Sequence, residues 1–170
     1  TLNDPTWQRA DLITEIISNV QRNKMIMDDV AKQIHHPGVV MVMTERQEHC
    51  EILDYMFNNN GIDATYIHGG LSTKTKDTIM NELKNGKIKV LISTSALLGE
   101  GFDHKEITSL FLTTPISFDG RLIQILGRAL RACEGKETAF IYDYQDMYVE
   151  VLLKAARNRR KIYRKIADNP

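Results

Sequence analysis

Apolar residues recur along the chain in two alternating rhythms, one helical and one extended. Between Thr6 and Asn23, Ile13, Ile16, Ile17 and Val20 fall at helical spacing, with Asp4-Pro5 as a start signal. Met25 to Ile34 reads as a second helix, which Pro37-Gly38 breaks. Val39 to Met43 is a short unbroken apolar run, the pattern of a strand buried on both faces. Thr44 follows as an N-cap, Ile52, Leu53, Met56 and Phe57 stripe the next helix, and Asn60-Gly61 ends it. The unit then repeats. Ile62 to Ile67 predicts a strand, His68-Gly69-Gly70 a loop, and Ser72 the cap of a helix carrying Ile79, Met80 and Leu83 until Asn85-Gly86. Lys87 to Ser93 predicts a third strand, Thr94 to Asp103 a glycine-rich loop or short helix, and Ile107 to Leu112 a fourth strand. Asp119 to Ala132 predicts a helix, Gly135 a turn, and Thr138 to Tyr142 a fifth strand. Gln145 to Ala167 reads as a helix outside the sheet pattern, packed through Val149, Leu152, Leu153 and Ala156.

Strands alternating with helices predict an α/β domain, three layers deep, with a mostly parallel central sheet flanked by helices. The expected organisation is a helical lead-in over residues 1–36 that packs on the domain, a core over 37–144, and a basic C-terminal helix over 145–170.

Composition changes this picture little. The chain has 170 residues, 42% hydrophobic and 26% charged, as an ordinary globular domain does. Lys+Arg and Asp+Glu are both 22, so net charge does not advertise a nucleic-acid partner and any basic footprint is local. The dense one is Arg157-Asn158-Arg159-Arg160-Lys161 with Arg164 and Lys165. Its default reading is a solvated helix face; the alternative is contact with a phosphate backbone. No apolar run approaches the roughly 20 residues of a membrane span, and the N-terminus lacks a signal-peptide pattern. Cys50 and Cys133 form no CxxC pair, which suggests a reducing compartment and neither a disulfide framework nor a zinc site. His35, His36, His49 and His104 have no metal-ligand spacing. The expectation is an intracellular protein, cytoplasmic or nucleoid-associated, with no bound membrane, and a chain opening at Thr1 reads as part of something longer.

The candidate chemistry sits where parallel sheets bind ligands, at the carboxyl ends of strands. Thr44-Glu45-Arg46 follows the first strand, His68-Gly69-Gly70 the second, Ser93-Thr94-Ser95 and then Gly99-Glu100-Gly101-Phe102-Asp103 the third, and Thr113-Thr114-Pro115 the fourth. Small hydroxyls and exposed N–H groups suit phosphate oxygens. Gln124, Arg128 and Arg131 share one face of the later helix. Two guanidiniums aimed at one point repel, so the arrangement calls for a strongly negative ligand, and a phosphate chain fits their forks. Simpler readings stand beside these. Thr94 and Ser95 also suit a helix cap, Asp103 a turn, and His68 an ordinary loop histidine. Glu100 either holds Arg128 or faces solvent.

Taken in order, these stretches resemble the second RecA-like domain of a superfamily 2 helicase of the DEAD/DEAH type. Val40 to Arg46 resembles motif IV, Tyr66 to Gly70 the following His-Gly motif, Val90 to Asp103 motif V, and Gln124 to Arg131 motif VI with its Gln-x-x-Gly-Arg-x-x-Arg signature. The wording of motifs V and VI is closest to the branch of repair, restriction-type and phage helicases, which favours DNA over RNA. The resemblance implies that Arg128 and Arg131 approach the γ-phosphate of ATP, one of them as an arginine finger, with Gln124 touching the nucleotide or its attacking water. It implies that Gly101 and Asp103, within Gly99 to Asp103, lie near the nucleotide and couple it to the track. Thr44, His68, Gly69, Thr94 and Ser95 would line the nucleic acid. The cofactor would be ATP with Mg²⁺. No Gly-x-x-x-x-Gly-Lys-[Ser/Thr] and no Asp-Glu-x-[Asp/His] occurs. The chain therefore lacks a phosphate-cradling loop, metal carboxylates and a general base. The expected partners are an N-terminal RecA-like domain of the same protein, completing the ATP site, and nucleic acid. The alternative is an adaptor that keeps the fold and has lost catalysis; the intact arginine pair argues against it.

Overall fold

The computed structural model describes residues 9–97, 107–115 and 139–168. Helices α1 (Arg9–Ser18) and α2 (Val20–Gln33) come first, then strand β1 (Val39–Thr44), helix α3 (Gln47–Asn59), strand β2 (Ala64–Ile67), helix α4 (Thr73–Lys84) and strand β3 (Val90–Thr94). Strands β4 (Ile107–Leu112) and β5 (Phe140–Asp143) and helix α5 (Glu150–Asp168) follow. The strands form one five-stranded sheet in the order β2-β3-β1-β4-β5. Every pair is parallel. The chain leaves β1 toward β2 and leaves β3 and β4 in the opposite direction. The carboxyl end of β1 is therefore where strand order reverses, the place where α/β sheets open a ligand crevice.

The apolar run of β1 feeds both faces because successive strand side chains alternate. Val40 and Val42 join Val90, Ile92 and Phe111 under α2 and α3, whose Ile26, Val30, Leu53 and Phe57 cover them. Val39, Met41 and Met43 join Leu91, Leu110 and Leu112 on the other face, under Ile79 and Leu83 of α4 and Tyr163 and Ile166 of α5. Burying each such side chain contributes about 1.5–3 kcal/mol. Helix α1 closes a smaller cluster with Val149 and Leu152 at the start of α5. Gly38, just before β1, has φ of 92°, and a Cβ there would stand 2.2 Å from Thr108 Cγ2, so only glycine lets β1 begin beside β4.

Strands β2 and β3 and helix α5 start two to five residues later than the periodicity places them, and two further boundaries turn on helix caps. The first helix ends at Ser18 and α2 starts at Val20, because the Asn19 side chain accepts from the Arg22 N–H and caps a new helix. Val20, placed by its spacing on the packing stripe, is 69% exposed. Thr44 is the last residue of β1 and not the cap of α3; that position falls to Arg46, which makes no side-chain capping bond. Ser72 does cap α4, accepting from the Thr75 N–H. Among the described residues no helix is long and apolar enough to cross a membrane.

Candidate nucleotide and nucleic-acid interface

Strand register brings most of the expected track residues to one edge. Ile67 pairs with Ser93, and Thr94 pairs with Thr44. His68, Thr94 and Thr44 therefore follow one another across the carboxyl ends of β2, β3 and β1, spaced by the roughly 4.8 Å between strands. The Ser95 N–H donates to the Thr44 carbonyl at 3.0 Å and ties two of these ends together. Next along the edge, Thr113 donates through both N–H and Oγ1 to the Met43 carbonyl, and the Glu45 N–H donates to Thr114 Oγ1. Thr44, Thr94, Thr113 and Thr114 are all buried, whereas Gly69 is exposed and Ser95 half-buried. The hydroxyls of Thr44 and Thr113 thus serve the shape of the edge, and the open surface is backbone, Ser95, Gly69, Glu45 and Arg46.

Behind Thr44 stands a buried polar chain that spacing alone does not reveal. Thr44 Oγ1 lies 2.8 Å from His49 Nδ1, and His49 Nε2 lies 2.9 Å from Asn23 Oδ1. The Asn23 amide donates to the Ile17 carbonyl, so its Oδ1 accepts, the His49 proton sits on Nε2, and the Thr44 hydroxyl donates to Nδ1. Thr44 Oγ1 in turn accepts the Arg46 N–H. His49 is fully buried, and burial, with the Arg22 charge beside it, holds its pKa down at about 3. The unfolded chain therefore takes up a proton below its ordinary value near 6.5 while the folded chain does not. The stability tied to this neutral ring is full above that value and lost as pH falls toward 3. By pH 5 the loss is about 2 kcal/mol. Urea midpoints at pH 7.5, 6 and 5 should fall faster for the wild type than for His49→Gln; parallel slopes would contradict the assignment.

At β2, His68 is buried, stacks on Tyr66 with centroids 5.6 Å apart, accepts the Gly70 N–H at Nδ1 and faces Glu51 Oε1 at 3.3 Å from Nε2. The glycine this geometry needs is Gly70, where a Cβ would come 3.0 Å from the His68 ring; around Gly69 the space is open.

Where strand order reverses, helix α1 reaches over the edge. Arg9 forks onto Glu45 at 2.8 and 2.7 Å and also donates to the Pro115 carbonyl, while Arg46 donates to the Ala10 carbonyl. Arg22 is buried and joins α2 to Asp146 at 2.9 and 3.2 Å and to the Thr113 carbonyl, with its guanidinium 5.7 Å from the Tyr144 ring centre. Tyr144 donates to Asp29, and burial together with that carboxylate raises its pKa. Neither Arg22 nor Tyr144 stood out in the sequence, since their carboxylate partners lie more than a hundred residues away in the chain.

Gly99, Glu100, Gly101, Asp103, Gln124, Arg128 and Arg131 lie outside the described residues. Among the described residues no three His, Cys, Asp or Glu side chains group as a metal site would need. Cys50 is buried in α3, where burial pushes its thiol up to about 12, out of reach of thiolate chemistry.

Comparison with known proteins places this edge in a family. The family model described as the helicase conserved C-terminal domain matches residues 20–133. The chain is 30% identical over 157 residues to UvrABC system protein B of Ureaplasma parvum, covering 86% of this chain and 23% of that protein. It is 31% identical over 96 residues to the putative ATP-dependent helicase IRC3 of Saccharomyces cerevisiae, covering 56% of this chain and 14% of that protein. The chain thus spans about a quarter or less of the curated relatives it matches. In fold it resembles T4 UvsW, with a TM-score of 0.74 at 19% identity over 95% of this chain and 36% of that one. It also resembles the C-terminal domain of the DEAD-box protein Dbp5, with a TM-score of 0.65 at 18% identity over 84% of this chain and 79% of that one. The chain belongs to the helicase conserved C-terminal domain family and is the second RecA-like domain of a superfamily 2 helicase, on the side of that superfamily where the UvrB proteins lie.

Proposed function

We propose that this domain is the trailing half of an ATP-dependent helicase or translocase, and that its carboxyl edge grips a nucleic-acid backbone while its later arginine helix faces ATP held by an N-terminal RecA-like domain. The observation that carries the reading is the alignment of His68, Thr94, Ser95 and Thr44 on successive strand ends. That edge offers exposed backbone at Gly69 and the half-buried Ser95 hydroxyl, groups that suit phosphates of any sequence. Bound ATP would supply the phosphoryl-transfer energy. This chain's part is to present Arg128 and Arg131 as fixed cations, Gln124 as a polar partner, and Gly99, Glu100, Gly101 and Asp103 as the segment between the nucleotide and the track. DNA is the favoured track.

The reading is tested on the intact protein and on residues 1–170 alone. The intact protein should hydrolyse ATP faster with DNA than without, and with DNA more than RNA. The isolated domain should show no Mg²⁺-dependent turnover above background and bind ATP weakly. Robust turnover by the isolated domain, or an intact protein indifferent to every nucleic acid, would sink it.

A further inference from the structure

Helix α5 carries seven of the chain's 22 Lys and Arg residues and two acidic ones, in a chain with no net charge. One of the seven is not on the surface. Arg159 is buried and donates to Asp143 through Nε at 2.7 Å and Nη2 at 2.9 Å, and the Tyr163 hydroxyl donates to the same carboxylate at 2.7 Å. Asp143 ends β5, so the middle of α5 is pinned at the carboxyl edge of the sheet, the edge that carries Thr94, Ser95 and Thr113.

That pin fixes the helix's rotation. With Leu152, Ala156 and Arg159 inward, Lys154, Arg157, Arg160, Lys161 and Arg164 occupy the opposite side, and all five are exposed. At 100° and 1.5 Å per residue they fill an arc of roughly 120° and a row about 15 Å long. No acidic residue interrupts the sequence between Glu150 and Asp168. Among the described residues none of these five takes part in an ion pair. The contrast is α2, whose exposed Lys24 and Lys32 are matched by Asp28 and Asp29. Like charges three and four apart repel along a helix, so an uninterrupted row is unfavourable until a polyanion covers it. A row of about 15 Å also exceeds the roughly 12 Å of a DNA major groove, so its two ends reach phosphates on both rims.

We propose that this face of α5 is a sequence-independent contact for the phosphate backbone of duplex nucleic acid, beside the strand-end track. The proposal rests on the functional reading above and adds to it a duplex-holding surface.

The test uses the intact protein and a short fluorescein-labelled DNA duplex, with binding followed by anisotropy from roughly 50 to 200 mM salt. The variant Arg157→Gln/Lys161→Gln/Arg164→Gln should bind about tenfold or more weakly, and its slope of log affinity against log salt should flatten by about 2 to 3. Lys74→Gln/Lys84→Gln/Lys87→Gln removes the same charge from α4 and its following turn and should leave the slope near wild type. Thermal melts should match in all three proteins, since every replaced side chain is exposed. An α5 variant that melts normally and binds duplex with wild-type affinity and slope overturns the proposal. So does an equal loss in the α4 control, which would make the effect one of net charge, or loss of an acidic protein partner with duplex binding intact. A wild type that binds no nucleic acid overturns the functional reading as well.

Discussion

Replacing Arg131 with alanine in the intact protein should lower the nucleic-acid-stimulated ATP turnover proposed for it by about 10³-fold or more, the range of arginine fingers in phosphoryl transfer. The reason lies in where charge gathers. The transferring phosphoryl group spreads its charge over three oxygens, and a guanidinium fixed beside it stabilises that state more than the ground state. The sequence spacing of Gln124, Arg128 and Arg131 predicts one shared helix face, on which the loss of one arginine would leave the other without the second fork. Arg131→Lys keeps the charge and loses the planar fork, and should stay far below wild type. Nucleic-acid binding without nucleotide should survive both changes, which separates a lost finger from a lost fold. Phosphate release measured at saturating DNA decides the matter: a rate within threefold of wild type removes Arg131 from the reaction.

Asp143→Ala destabilises the domain by about 3–5 kcal/mol, because it strands a buried cation. Arg159 is 2% exposed, and its Nη1 is buried without a hydrogen-bond partner. Burial by itself disfavours the charged guanidinium, and the hydrogen bonds and charge of Asp143, together with Tyr163, outweigh it. Removing the carboxylate takes away both forks and the acceptor of the Tyr163 hydroxyl at once. For a domain of this length each kcal/mol moves the melting temperature by about 2–4 °C, so the midpoint should fall by roughly 10 °C. The double variant Asp143→Ala/Arg159→Met should recover most of the loss, since an apolar chain of similar length fills the space with no charge to satisfy. If the double variant is as unstable as the single one, packing and not the stranded charge is the cause.

The layered fold was legible because its signals are local. The apolar run of β1, the limits of β4, the Ser72 cap and the Asn85-Gly86 stop each depend on residues within a few positions of one another. The break at Asn19 was hidden because the helical spacing of apolar residues runs through it, and a lone asparagine becomes a cap only through the bond its side chain makes. Arg159 read as one more member of a basic surface because its acid lies on another element. The strand-end residues were visible as motifs, yet which hydroxyls face outward was not: Thr44 and Thr113 are buried by contacts with α3 and β1 that no motif records.

The chain from Thr44 through His49 and Asn23 to the Ile17 carbonyl has a mechanical meaning. It starts at the carboxyl edge of the sheet and ends at the far helices, in short hydrogen bonds inside a packed interior. A pull on Glu45 or Arg46 meets no slack on that line, because each member is held from both sides. Load on the edge therefore passes to α1 and α2 as displacement of the whole body. A domain built this way would transmit a step and not absorb it, and in the proposed motor any compliance would belong to the joint between its halves.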